Sequence, residues 1–475
     1  MHLGSAFKQV IIILSLGLVI FPPLKTQAQE AAPDGPVYTV QQGDTLWSIA
    51  QRFRVSVEDL QNTNDLANPN QLTAGLKLII PGLEGIKGNL TTTTINYGDT
   101  LRSLSRRYRI SPEAIAKLNH MVSPMELYAG STLVIPEEEN PISYAGRLQL
   151  SSNQTILELS VQNDINPWAM LQENNLSTSW TIIPGETLYS SNSNLAGPGG
   201  LPVNIASVEI QPQFPLQGKT TIIRIQATES ITVTGSFVSH DLHFFPESDT
   251  EYVALQGIHA LIEPGIYPLR LDFETSDGRK YSFSQMVNIQ PVDYPYDRPL
   301  TVDKATIDPA VTKPEDEKWL GLAANATPDR MWDQSFAMPS PLPLDYCLKS
   351  GDCWSSRFGN RRSYNGSAYT YFHTGLDIFG GTGTKIFAPA DGVVVFAGPL
   401  TIRGNATLID HGWGVYTGYM HQSEIYVKVG DRVTTGQVIG LVGGTGRVEG
   451  PHLHWEVLVG GVQVDPLDWL SQAYP

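Results

Sequence analysis

Between residues 37 and 190 the apolar positions repeat. Leu46 and Ile49 are spaced i and i+3, then come Leu60 and the run Leu78-Ile79-Ile80. The same order returns 55 residues on as Leu101, Leu104, Ile115 and Leu133-Val134-Ile135, and again as Ile156, Leu159 and Met170. Polar positions keep that offset: Gly43-Asp44-Thr45 with Gly98-Asp99-Thr100, Ser56 with Ser111, and Asn64 with Asn119 and Asn174. A repeat of this kind sets the architecture. Each unit reads as strand, helix, helix, strand. The Gly-Asp-Thr turn starts the first helix, because Asp and Thr side chains accept from free backbone N–H groups. Ser56, Ser111 and Asn166 cap the second, with Pro112 and Pro167 following where a missing N–H costs nothing. The closing strands are 78–80 and 133–135, and the third copy closes early, at Ile182-Ile183-Pro184. Its Asn153-Gln154 replaces Gly-Asp, so it reads as degenerate. Residues 82–92 form a Gly/Thr-rich linker, which predicts that the first two units move independently.

The pattern then changes. Residues 201–292 hold short β-branched runs such as Thr221-Ile222-Ile223-Arg224-Ile225 and Leu269-Arg270-Leu271-Asp272-Phe273, separated by turn signals such as Pro264-Gly265 and Asp277-Gly278. That spacing predicts an all-β sandwich, immunoglobulin-like by analogy of fold. Its three histidines, His240, His243 and His259, read as structural. Residues 293–345 are rich in Pro and Asp and read as a linker running over the next domain, with one helix over 314–326.

Composition narrows the chemistry. The chain has 475 residues, only 16% charged, with a formal net charge of −16. Such a chain is not drawn by its own field to nucleic acid or an anionic membrane. Two cysteines exclude a disulfide scaffold and Cys-rich metal sites, so a metal must sit on His and carboxylates. Cys347 and Cys353 enclose five residues. A disulfide is expected there, with two free thiols the alternative. Lys8, the apolar run 10–21 and Thr26-Gln27-Ala28 read as a signal peptide over 1–28, cleaved after Ala28. No later stretch is long enough to span a bilayer, so a secreted, monomeric mature chain is expected.

Five of the ten histidines fall between 373 and 454. His373 and Asp377 form H-x-x-x-D, and His452-Leu453-His454 puts two imidazoles on one face of a strand. His421 stands alone in Tyr419-Met420-His421. His411 reads as structural, and Glu456 as a candidate partner for a ligand histidine. Tyr371 sits near the site in sequence alone.

Two resemblances follow. The repeats at 37–82 and 94–137, and more weakly 145–190, resemble LysM, a βααβ module that binds N-acetylglucosamine glycans such as peptidoglycan. By that resemblance Gly43, Asp44, Thr45 and Asn64 line a sugar groove, as do Gly98, Asp99, Thr100 and Asn119. The segment from Trp354 to Leu470 resembles lysostaphin/LytM-type zinc metallopeptidases, through Ser356-Arg357-Phe358-Gly359, His373 to Asp377 and Gly450 to Glu456. It implies a mainly-β domain over 346–475 with one Zn²⁺ on the floor of a groove. His373, Asp377 and His454 are then the metal ligands, and His421 and His452 the catalytic histidines. Catalytic zinc keeps three protein ligands and one open position. The implied function is a peptidoglycan endopeptidase tethered by its LysM modules. Relatives that have lost ligands are non-catalytic wall-binding regulators, whereas here all five residues remain. If the upstream modules only tether, a fragment of about 340–475 works by itself.

Overall fold

The computed structural model describes residues 35–68, 72–137 and 146–475. The expected signal peptide lies outside them. No helix among the described residues is long and apolar enough to cross a membrane.

The three repeats have the expected element order. Thr45, Thr100 and Thr155 cap the helices Leu46–Phe53, Leu101–Tyr108 and Ile156–Gln162, each in a reciprocal capping box with the residue three positions on. Ser56, Ser111 and Asn166 cap Val57–Thr63, Pro112–Leu118 and Pro167–Glu173. Two expectations need correcting. The third copy does not close early: its last strand is Thr187–Ser190, paired with Gly146–Gln149, so the 55-residue offset holds to the end. The stretch after residue 82 is not a free linker either. Strand Asn89–Thr94 pairs in parallel with Val37–Thr39, joining the first two units in one four-stranded sheet. Leu83, Ile86 and Leu90 are buried in the first unit's core together with Leu118 and Val134 of the second. The Thr-rich composition of 89–94 is that of a half-buried strand, exposed on alternate residues.

Residues 205–289 form two four-stranded antiparallel sheets enclosing one core. Long alternating strands such as Gly265–Thr275 turn Leu269, Leu271 and Phe273 inward. The guanidinium of the fully buried Arg147, in the third unit, donates to carbonyls of Ala196 and Ile205 and fixes that unit to the sandwich.

The C-terminal part is a ten-stranded sheet. Its central neighbours are Leu376–Phe379, His452–Val459 and Val415–Ile425. Leu453, Trp455 and Val457 point into a core that also takes Trp332, Phe336 and Trp469. The opposite face carries His452, His454 and Glu456, and farther along Leu458 lies under Trp319. Residues 293–345 are therefore part of this domain rather than a linker. Their helix is Pro309–Ala323, longer and earlier than expected. Asp308 caps it and Pro309 opens it, while Pro314 lies inside, where its ring removes one helical hydrogen bond without ending the helix. Cys347 and Cys353 are joined, tying the helix Leu344–Ser350 to the first strand of the sheet.

Candidate functional site: a His/Asp cluster in a cleft

Strand register assembles the cluster. Asp377 stands opposite His454, and His454 opposite Met420, the residue before His421. His373 enters from the turn preceding Asp377. Its Nε2 lies 2.9 Å from Asp377 Oδ1 and 2.9 Å from His454 Nδ1, which is itself 2.7 Å from Asp377 Oδ1. All three residues are buried.

Their outer atoms are already engaged. His373 Nδ1 is 2.9 Å from the Arg357 carbonyl, which can only accept. His454 Nε2 lies 3.3 Å from Glu456 Oε1. A neutral imidazole at either position carries its proton outward and turns a lone pair inward. Against burial, the hydrogen bonds to Asp377 and Glu456 raise the His454 pKa, so without a metal that ring favours an inward proton that a bound metal would displace. Arg362 Nη2 holds Asp377 Oδ2 at 3.0 Å, leaving Oδ1 to face the two nitrogens. Two lone pairs and a carboxylate oxygen converging on one buried point repel one another unless a cation lies among them. The donor set therefore fits a divalent metal of the borderline class. Burial, and next the Arg362 guanidinium, push the His373 pKa down to about 4, so the ring is neutral, as a ligand must be. Burial alone would raise the pKa of Asp377, but His373 and the surrounding hydrogen bonds hold it well below the usual carboxylate range.

His421 and His452 flank the cluster, their rings 5.1 Å apart. His421 has a left-handed backbone, φ 63°, at a register shift in its strand. Non-glycine residues held there are uncommon and concentrate at functional sites. Its Nδ1 is 2.8 Å from the Thr445 carbonyl, and His452 Nδ1 is 2.9 Å from the Gly450 carbonyl. His421 therefore turns Nε2 into the cleft as a free acceptor, whereas His452 Nε2 faces Asp377 Oδ1 at 3.4 Å.

The cleft opens on both sides of the cluster. A cavity of about 460 Å³ extends past Phe379 and His452, and one of about 380 Å³ past Phe372 and Thr374. Between them Arg447 stacks on Tyr364, 4.5 Å from the ring centroid. A larger cavity, about 920 Å³, lies beside the second repeat and the sandwich and holds none of these residues.

Other expected residues lie elsewhere. His411 is buried, bonded to Asp391 O and Thr417 Oγ1, as a structural histidine should be. Tyr371 is exposed at the rim. In the repeats, Asn64 does not present its amide to a groove. It bonds Leu60 O, Ile79 O and Ile79 N, and Asn119 and Asn174 repeat this clamp on their own closing strands. Asp44 Oδ2 is taken by Tyr38 and the Gln41 N–H. Gly43 and Thr45 remain exposed, whereas the turn Gly98, Asp99 and Thr100 is packed against Gly200, Leu201 and Gln285. A sugar cannot reach that second turn in this arrangement. Sequence reasoning missed Arg362, which no spacing marks, and Trp319, whose Nε1 donates to Glu456 Oε2 at 2.9 Å.

Residues 371–466 match Peptidase family M23, and residues 38–81 and 93–136 match the LysM domain. The chain is similar to peptidoglycan DD-endopeptidase ShyC of Vibrio cholerae, 43% identical over 24% of this chain and 26% of that protein. It is also similar to DD-carboxypeptidase/endopeptidase Mpg of Neisseria meningitidis, 46% identical over 20% of this chain and 22% of that protein. The chain thus spans about a quarter of the length of these relatives. A putative peptidase M23 from Pseudomonas aeruginosa superposes with a TM-score of 0.40 at 24% identity, over 55% of this chain and 96% of that one. The chain carries a peptidase family M23 domain behind two LysM domains.

Proposed function

We propose that this chain is a zinc metalloendopeptidase that hydrolyses peptide bonds in peptidoglycan stems or cross-links. The observation that carries this is the convergence of His373 Nε2, Asp377 Oδ1 and His454 Nδ1, with every outer atom already bonded, on the floor of a two-sided cleft. These residues hold the metal. Zinc bound there supplies Lewis-acid polarisation and an acidified water. The rest falls to the chain. His421 and His452 both turn Nε2 toward the cleft, so a neutral ring there can take the proton of an attacking water and, once charged, pass it to the leaving amine. Once charged, either ring also faces the developing oxyanion. Neither has to reorient, because carbonyls fix both Nδ1 atoms. Arg362 keeps Asp377 from turning its second oxygen into the cleft.

The repeats hold the enzyme on glycan strands. Gly43, Asp44 and Thr45 form the open turn for this, and binding there raises the local concentration of peptides at the cleft. The mature chain works as a monomer outside the cytoplasm, delivered by the segment 1–28. Mass spectrometry of fragments released from defined peptidoglycans tests the proposal: one new amino and one new carboxyl terminus per cut are expected, abolished by chelation and restored by zinc. A chain that retains about one zinc yet releases no peptide is a wall-binding regulator instead.

A further inference from the structure

The helix Pro309–Ala323 lies outside the matched segment 371–466, yet its buried side chains bond Glu456 and the 401–403 turn behind the cleft. Trp319 is 1% exposed. Its indole N–H is bonded to Glu456 Oε2 at 2.9 Å, while Glu456 Oε1 takes Thr374 Oγ1 at 2.5 Å and faces His454 Nε2 at 3.3 Å. A carboxylate behind a ligand imidazole fixes its tautomer and ring plane. Here the carboxylate is itself fixed, by an indole. The seat for that indole is built into the sheet. Gly418 pairs with Glu456, and a Cβ on Gly418 would lie 2.5 Å from the Trp319 ring. Arg403 stacks on the other side, 5.1 Å from the ring centroid.

One turn earlier on the same helix is Glu315. Its buried carboxylate accepts three successive backbone N–H groups, Thr401 at 2.7 Å, Ile402 at 3.0 Å and Arg403 at 3.0 Å. Arg403 Nη1 and Nη2 return to Glu315 and Asp316. The turn held this way ends on the Arg403 carbonyl, which accepts the backbone N–H of His421 at 2.9 Å. That is the residue with φ 63°, a conformation that needs support from outside.

We infer that this helix is the positioning element of the cleft: Trp319 sets the ligand His454 through Glu456, and Glu315 sets His421 through the 401–403 turn. The two arms act on different properties. The Trp319 arm acts on metal affinity, and the Glu315 arm on turnover. The inference rests on the cluster being a metal site and not on the identity of the substrate.

The test uses the full chain. Zn²⁺ affinity is measured by competition with a chromophoric chelator. Trp319→Phe keeps an aromatic ring and removes the N–H, and it should weaken zinc about 10-fold. Because Phe also leaves a small void, benzothienylalanine at position 319 serves as a second variant, with the indole shape and no N–H. It should weaken zinc to the same extent, while the melting temperature of the metal-free protein falls only by the lost hydrogen bond, without the further loss a void brings. Glu315→Gln should bind zinc within about two-fold of wild type, and should lower kcat at unchanged KM by about 10²-fold, the scale of a misplaced catalytic group. Wild-type zinc affinity in both Trp319 variants overturns the first arm, and wild-type kcat in Glu315→Gln overturns the second. If wild type itself cleaves no peptidoglycan peptide, the proposed activity and with it the Glu315 arm have failed, and the zinc titration still decides the Trp319 arm.

Discussion

The Gly-Asp-Thr turns of the repeats and the His/Asp cluster of the cleft are both polar motifs with diagnostic spacing, but they use their atoms in opposite ways. In the repeats most polar side-chain atoms of the motif close on the module itself, the exceptions lying in the second turn, where Asp99 Oδ1 is buried without a partner and the Gly98 N–H goes to Gln285. Thr45 and Thr100 cap helices, Asp44 and Asp99 accept from their own turns, and Asn64 and Asn119 clamp closing strands. In the cleft the outward atoms are satisfied and the inward ones are left facing each other. A motif whose hydrogen bonds all close locally is explained by folding. A motif that spends buried bonds to hold unpaired lone pairs in one place needs a ligand to complete it.

The largest effect that sharpens this contrast is Asp377→Ala. It should remove metal binding and lower peptide release by at least about 10³-fold. In Asp377→Asn, which leaves an oxygen for the Arg362 guanidinium, the metal-free fold should hardly suffer, because the lost charge was crowded against two imidazoles. A melting temperature of the metal-free variant well below that of metal-free wild type would show that the cluster is held together like the repeats. His452→Ala should keep the metal and lose about 10²–10³-fold in turnover.

Next in size is the boundary of the catalytic unit. A fragment starting near residue 340 lacks Trp319, Glu315, Trp332 and Phe336, all buried against the sheet. It should release soluble peptides at least about 10²-fold more slowly than one starting near 293, and should melt earlier. Equal activity of the two fragments would return residues 293–340 to the status of a linker.

This boundary is also where the sequence was least legible. The repeats and the cluster could be read because their signals are local: a period of 55, a cap three residues before its partner, two histidines on one strand face. Trp319 and Arg362 act across 137 and 15 residues on Glu456 and Asp377, and nothing near them in the chain marks the contact. The 82–92 stretch misled for a related reason. Gly and Thr suit a flexible linker and an edge-to-edge strand alike, and only the partner strand at Val37–Thr39 decides between them.

Within the repeats the contrast predicts stability effects without loss of chemistry. Asn119→Ala removes three side-chain bonds, to Ile115 O, Val134 O and Val134 N. At about 1 kcal/mol each, unfolding of the tandem should become easier by about 2–3 kcal/mol, with cleavage of soluble peptides unchanged. A variant that loses glycan binding at unchanged stability would place this amide in a sugar groove after all.

The finest test compares two glycines one period apart. Gly43 and Gly98 have φ of +90° and +100°, so alanine is strained at either. Their surroundings differ. A Cβ on Gly43 meets nothing within 4 Å, while one on Gly98 would lie 2.4 Å from Leu201 Cγ and 2.8 Å from Pro198 Cβ. Gly43→Ala should therefore cost only the backbone strain. Gly98→Ala should cost about 1–3 kcal/mol more, the usual penalty of overpacking, or should separate the tandem from the sandwich. Chemical denaturation followed by the tandem's own signal, together with proteolysis between 190 and 205, distinguishes the two. Identical behaviour of the two variants would mean that the second turn is open in solution, and Gly98, Asp99 and Thr100 would then be available to glycan as the first turn is.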